Sequence, residues 1–273
     1  MISHRAMLQL QVISRKRHLH KRWERSVGHV FAACEPIVVL VAAEFSKAAL
    51  AMPTGFVKQN DAFVPVVLTG FALTGNLFID AQGYWTGDYL PAALRSYPFQ
   101  VIHNPENDQQ ALCIDEESGQ VTDGPQVQAF FTQAGEPAQP VMAMLNFLIG
   151  VAHNRTATAH ACAVLARYGL IQPWAASFAT DAGEVKLGGL FEVNEAALNR
   201  LPGQALQEMA ESGGLQLAYC QWLSRLRLPA LAQRSQACAR SALPTQPVLA
   251  TPAVGLGLAF LRQAGTVSFA NLF

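Results

Sequence analysis

An α+β fold, a mixed or antiparallel sheet packed with a helical C-terminal half, is predicted by three features of the 273-residue sequence. Residues 31–120 carry short β-branched or alternating apolar runs punctuated by Gly, Pro, Asn and Asp, the pattern of strands and tight turns. From Pro140 the apolar spacing lengthens to a helical period. Strand signals then return over residues 171–193 before the chain ends in further helices.

Taken in order, "PIVVLVAA" (36–43) reads as a buried strand and "EFSKAALAM" as a short helix stopped by Pro53 and Gly55. "AFVPVVLTGF" and "GNLFIDAQG" read as two strands joined by a short connection. "GDYLPAALRSY" supplies one or two helical turns, with Asp88 as a candidate N-cap and Pro98 as the stop. "QVIHN" and "QALCIDEESG" are strands around the turn-rich "NPENDQ". Residues 140–168 form a long helical region closed by Gly169, with a break expected near Gly150 or His153. "IQPWAASFAT" and "EVKLGGLFEVN" flank the turn "DAGE" as an antiparallel hairpin. Helices over 194–214, broken at Pro202-Gly203, and over 215–241 complete the pattern. Because the hairpin returns to the first sheet, residues 31–240 are expected to form one α+β domain, between a basic segment (1–30) and a Pro/Gly-containing tail (241–273).

Charge and cysteine content narrow the function. Lys plus Arg and Asp plus Glu number 19 each; seven of the bases and one acid fall in residues 1–30, which leaves twelve bases and eighteen acids, a charge of −6, on the rest. Such a body is a poor partner for a phosphate backbone, so nucleic acid is not the expected partner. The run "SRKRHLHKRWER" reads as a solvated, partly helical stretch. Five cysteines (Cys34, Cys113, Cys162, Cys220 and Cys238) show no metal-ligand spacing, which fits scattered thiols in a reducing compartment and a cytoplasmic location. No integral membrane span is expected: residues 36–43 are too short, and Pro244, Pro247, Pro252, Gly255 and Gly257 interrupt the uncharged 241–261 segment.

No nucleotide-binding glycine loop and no nucleophile elbow is present. His153 and His160 stand two turns apart, about 10.5 Å, too far to chelate one ion, and no metal or cofactor is expected. His103 is a third candidate base. The catalytic residues, if any, are not legible. What stands out is "GNLFIDAQGYWTGDYLPAALRSYPFQ" (75–100). Trp85, Tyr89, Arg95 and Tyr97, with Asp80 and Asp115 nearby, are expected to border one concave surface, with the backbone bent at Gly75, Gly83, Pro91 and Pro98. There Arg95 would pair with Asp80 or Asp115. Two readings stay open: a recognition surface anchored by aromatics, and a carboxylate pair in which one acid is protonated. Against both stand the ordinary roles of the same residues, Asx turns for the aspartates and a sheet-to-helix seam for the rings.

The order "AEF", "FVPVVLTGF", "GNLFIDAQGYW", "YLPAALRSYPF", "LCID", "GEP" and "LGGLFEVNEAALNRLP" over residues 35–228 resembles the bacterial SapC-like protein family. Among the positions that recur in that family are Glu44, Asp80, Gly83, Trp85, Tyr89, Arg95, Tyr97 and Asp115, to which no catalytic roles attach. The resemblance implies an accessory protein associated with surface-layer export or outer-membrane systems. Its implied partner is a protein or peptide: a halogenase-like or hydroxylase-like enzyme, or a component of the surface system. The alternative is an uncharacterised enzyme acting on a peptide or small molecule through a carboxylate-aromatic pocket. The oligomeric state is not encoded in any feature of the chain.

Overall fold

The computed structural model describes residues 10–25, 28–71, 74–104, 109–122, 127–175, 177–180, 183–186 and 188–241. Within them the chain is a mixed α+β structure of antiparallel sheets with a largely helical C-terminal region. The strands are β1 (Leu10–Val12), β2 (Arg22–Trp23), β3 (Ile37–Val39), β4 (Thr54–Gln59), β5 (Ala62–Leu68), β6 (Phe99–Asn104), β7 (Gln109–Asp115), β8 (Val121–Thr122), β9 (Gln128–Ala129), β10 (Ile171–Pro173), β11 (Ser177–Thr180), β12 (Gly183–Lys186) and β13 (Leu190–Val193). The α-helices are α1 (Arg15–His18), α2 (Ala42–Ala51), α3 (Ala92–Arg95), α4 (Gln139–Arg167), α5 (Glu195–Leu198), α6 (Gly203–Glu211), α7 (Gly214–Ser224) and α8 (Leu228–Ser241).

The expected return of the chain to its first sheet is present. β10 and β13 join β4, β5 and β3 in a five-stranded sheet of order β10-β13-β4-β5-β3. β6 and β7 do not join it; they form a second sheet with β1, in the order β1-β7-β6. The long helix α4 spans both sheets. Its C-terminal half packs with β5, α2 and α7 over one core that includes Phe45, Phe56, Leu165 and Met209. Its N-terminal half covers a second core built on Trp23, Phe99, Ile114 and Phe130.

Several local expectations are corrected. "TGFVKQND" was expected to follow a helix stop, yet it forms β4 and a two-residue hairpin with β5. Asn60 and Asp61 take φ of 45° and 64°, the left-handed pair that such a turn demands. "GNLFIDAQG" is not a strand. Asn76 Oδ1 accepts the Phe78 N–H at 3.0 Å, and Asp80 Oδ1 accepts the Gln82 and Tyr84 N–H groups at 3.0 and 2.8 Å. These local side-chain bonds occupy the backbone donors that a ladder would have used. What survives is an isolated bridge between Ile79 and Trp85. α4 runs through Gly150 and His153 unbroken, because a single glycine costs a helix only about 1 kcal/mol and packing at both ends outweighs it. The turns at 105–108 and 181–182, and the 242–273 tail, lie outside the described residues. No described helix is long and apolar enough to cross a membrane.

The basic N-terminal run is partly helical, as α1, follows β1 and supplies β2. Trp23 is buried edge-on against Phe99, with ring centroids 4.7 Å apart. His18 is fully buried; its Nδ1 accepts the Ser14 N–H at 3.2 Å and its Nε2 lies 3.1 Å from Glu116 Oε1. Arg17 and Lys21 donate to the same carboxylate at 2.9 Å each. The Arg17 guanidinium and the Lys21 ammonium outweigh burial and hold the Glu116 carboxyl down to about 2. Its folded value lies below the ordinary 4.5, so the stabilisation is complete above that pH and is lost as pH falls toward about 2. Neighbouring Asp115 has the opposite sign, raised by burial, and favours the folded state when protonated. Comparison with Glu116→Gln isolates the cluster. Urea titrations between neutral pH and about 3 should show the wild type losing more stability than the variant; parallel losses would contradict the assignment.

Candidate functional site: a cavity between two strand edges

Where β3 ends, the chain turns into α2, and the start of that helix is fixed by side chains from elsewhere. The Ala42 N–H donates to Thr158 Oγ1 at 2.7 Å and the Ala43 N–H to Asn154 Oδ1 at 2.8 Å, both from α4. Glu44, buried in the first turn of α2, accepts the Val41 N–H at 3.2 Å through Oε1. Its Oε2 accepts the Tyr89 O–H at 2.8 Å and the Ala92 N–H at 2.7 Å. The last bond caps α3. Asp88, the N-cap expected from sequence, is exposed and three residues short of the helix; Pro91 holds the cap position, and Glu44 supplies the acceptor from 48 residues away. α3 is thereby held against α2.

Between α4, β5, the α3–β6 segment and the end of β3 lies a cavity of about 480 Å³, within the range of about 300–1,000 Å³ usual for ligand sites. Its walls are mainly apolar: Val39, Leu40, Phe63, Val64, Pro65, Phe99 and Val101 on the strand side, with Val151, Ala159, Cys162, Ala163 and Ala166 from α4. Asp61, Ser96, Tyr97, Gln100, Asp115, Arg155, Thr158 and Arg167 are its polar lining residues. Asp115 is buried, and its Oδ1 accepts the Glu117 N–H at 3.1 Å. Burial raises its carboxyl above the ordinary value. The Tyr97 hydroxyl is pushed up to about 12, first by burial and then by the Asp115 carboxylate, so it stays a neutral donor. Burial pushes the Cys162 thiol up to about 12, which removes it as a nucleophile. Arg155 is lowered by burial, opposed by the charge of Glu44. The chemistry on offer is an apolar slot with a few neutral or charged hydrogen-bonding groups.

The residues singled out in the sequence divide into three groups. Tyr97, Pro98 and Asp115 line the cavity. Tyr89, Pro91 and Arg95 stand behind its wall. Arg95 does not pair with Asp80 or Asp115: the carboxylate nearest its Nη2 is Glu44, at 3.9 Å, and its guanidinium lies over the Tyr89 and Phe147 rings at 5.7 and 5.1 Å. Asp80, Trp85, Gly75 and Gly83 belong to a loop packed on the 29–33 turn. Gly83, at φ +87°, accepts the His29 N–H at 2.6 Å. The two aspartates thus act as turn acceptors in separate places, and only Asp115 faces the cavity. His153 and His160 are exposed on α4, the His103 side chain lies outside the described residues, and no group of three metal-ligating side chains occurs among those described. Glu44 and Arg155 were missing from the sequence-level site. Glu44 was visible only as a family position, and Arg155 carried no local signal.

Trp85 is half-buried, stacked on Phe78 at 5.4 Å, and donates its indole N–H to the Tyr89 carbonyl at 3.1 Å. Trp85→Ala should therefore cost about 3 kcal/mol of stability by lost transfer and cavity energy, while leaving binding at the cavity intact. Urea unfolding and partner titration on one sample check this. A stable variant that no longer binds would return Trp85 to a recognition role.

No match was found among curated proteins or solved structures. A family model described as SapC matches residues 13–231, which takes in the five-stranded sheet, β6 and β7, the cavity and most of the helical region. The chain belongs to the SapC family.

Proposed function

We propose that the protein is a non-catalytic accessory that binds a protein or peptide partner, and that the cavity beside α4 receives an apolar segment of that partner. The observation that carries this reading is the composition of the cavity: apolar walls, no activated nucleophile among its lining residues, and hydrogen-bonding groups spaced along it. In this reading Tyr97 and Asp115 contact the partner, while Glu44, Tyr89 and Arg95 hold the α3 wall in place. The resemblance supports a bacterial setting linked to cell-surface or outer-membrane systems, and the scattered free thiols support a cytoplasmic one. The partner is then a halogenase-like or hydroxylase-like enzyme or a surface-system component.

Affinity capture from native cells, with wild type and Ala163→Trp side by side, tests the proposal. Ala163 is exposed on the cavity side of α4, so a larger side chain there fills the slot without entering the core. The expected result is one stoichiometric polypeptide retained by the wild type and lost with the variant at unchanged melting temperature. A second reading, an enzyme, rests on Asp115, a buried acid with a raised pKa beside Tyr97 in the same cavity. An ordered small metabolite in the purified protein, with no polypeptide captured, would favour it.

A further inference from the structure

The strand pairing around the cavity leaves two backbone edges open toward it. In β5, the Pro65 carbonyl accepts the Leu40 N–H at 2.9 Å, so residues 63, 65 and 67 point their backbone groups to the β3 side, by the two-residue period of a strand. That bond is the last one, because the chain turns away into α2 at Ala42. Among the described residues, none pairs with the Phe63 N–H and C=O on that side. The other edge belongs to β6. The Asp115 N–H donates to the Pro98 carbonyl at 3.1 Å, which turns residues 98 and 100 to β7 and residues 99 and 101 away from it. The Phe99 N–H is taken by the Ser96 carbonyl at 2.7 Å. The Phe99 C=O and both backbone groups of Val101 have no described partner on the outer side.

Both open runs, residues 61–65 and 98–101, line the same cavity. It therefore lies where β3 would continue, with β5 on one flank and the edge strand β6 on the other. Pro65 has no N–H, and its carbonyl is already engaged by Leu40; the Pro98 carbonyl is engaged by Asp115. The available run is thus bounded to three or four residues, about 10–13 Å of extended chain. Above it, the small side chains Ala159, Ala163 and Ala166 of α4 are exposed to the slot.

We infer that the cavity takes its partner as an added β-strand, an extended polypeptide segment that hydrogen-bonds to Phe63 of β5 and to Phe99 and Val101 of β6 and so joins the two sheets. This rests on the polypeptide-binding reading above and specifies its mode. The backbone edges supply donors and acceptors that suit a peptide and not an alkyl chain or a lone aromatic ring. Side chains at alternate positions of the segment face the alanine-lined wall, so the preferred sequence is apolar at every second residue, with small or flat side chains there.

The test uses a displayed library of random ten-residue peptides, selected on the full chain and counter-selected on Ala163→Trp; Ala159→Leu serves as a second blocked form should the first fold poorly. Selected peptides are then resynthesised with single N-methyl groups along the backbone. A strand flanked on both sides turns consecutive N–H groups to opposite edges, so methylation at each of about three consecutive residues weakens binding about tenfold or more, and methylation outside that run has little effect. Amide exchange at Phe63 and Val101 should slow in the complex. Cavity-dependent binders with no contiguous run of sensitive N–H groups and no slowing at those amides overturn strand addition while leaving polypeptide binding standing. A library that yields no cavity-dependent binder overturns both.

Discussion

Glu44→Ala is expected to lower the free energy of unfolding by about 3–5 kcal/mol, the range for removing one member of a buried, hydrogen-bonded charge cluster. The carboxylate is buried and accepts from Val41, Tyr89 and Ala92, with Arg95 at 3.9 Å and the charge of Arg155 opposite. Its removal leaves the Ala92 N–H and the Tyr89 hydroxyl without their acceptor and leaves Arg155 facing no compensating charge from α2. Glu44→Gln keeps one acceptor oxygen and should lose about half as much. Because Ala92 begins the helical turn whose Ala93, Ser96 and Tyr97 line the cavity, partner affinity should fall along with stability. Urea unfolding of the three proteins checks the order. A loss below about 1 kcal/mol for Glu44→Ala would show that the cluster is solvated in solution.

Gly70→Ala should be the most damaging added methyl group among the described glycines. A Cβ at residue 70 would sit 1.6 Å from the Gly75 carbonyl oxygen, a backbone atom that no rotamer change can move aside. The reverse path is closed as well: Gly75 has φ +64°, and a Cβ there would lie 2.4 Å from the Ala33 carbonyl oxygen. The Gly75 turn is tied to the 33–36 segment by the Asn76 N–H to Ala33 bond at 2.8 Å and the Gly70 N–H to Pro36 bond at 3.0 Å. Relief requires the loop to withdraw from the end of β3, with a cost of about 4 kcal/mol or more. The readout is the yield of folded protein and its melting temperature; a variant within a few degrees of wild type would contradict the packing of this loop.

Much of the architecture was legible because it follows from period. The apolar runs of β3, β5 and β7 and the helical spacing of α4 carry their own signal, and the return of strands after α4 correctly placed β10 and β13 with the first sheet. What failed was local competition. Asn76 and Asp80 satisfy the backbone of the 75–85 loop, so an apolar segment that reads as a strand became a turn. β4 was missed because Gly55 looks like a helix stop, whereas in the sheet it admits the Trp174 ring at 3.2 Å from where a Cβ would stand.

The site was legible in composition but not in geometry. Tyr97 and Asp115 share the cavity, yet the acid that organises Tyr89, Arg95 and α3 is Glu44, from a helix that precedes them by about 50 residues. Such long-range capping leaves no trace in the local sequence, where Asp88 offers itself as the N-cap and goes unused.

In the proposed complex the partner's polypeptide lies in the cavity between β5, β6 and α4. Site-specific photo-crosslinking tests this, with a benzophenone side chain in place of the long, exposed side chain of Arg167, which lines the slot, and separately at Leu226 on the exposed apolar face that follows α7. The expected result is a covalent adduct to one short segment of the partner from residue 167, none from residue 226, and loss of the adduct when the selected peptide is added in excess. Adducts from Leu226 with none from the slot would rule out this placement and move the binding surface to the α7 face.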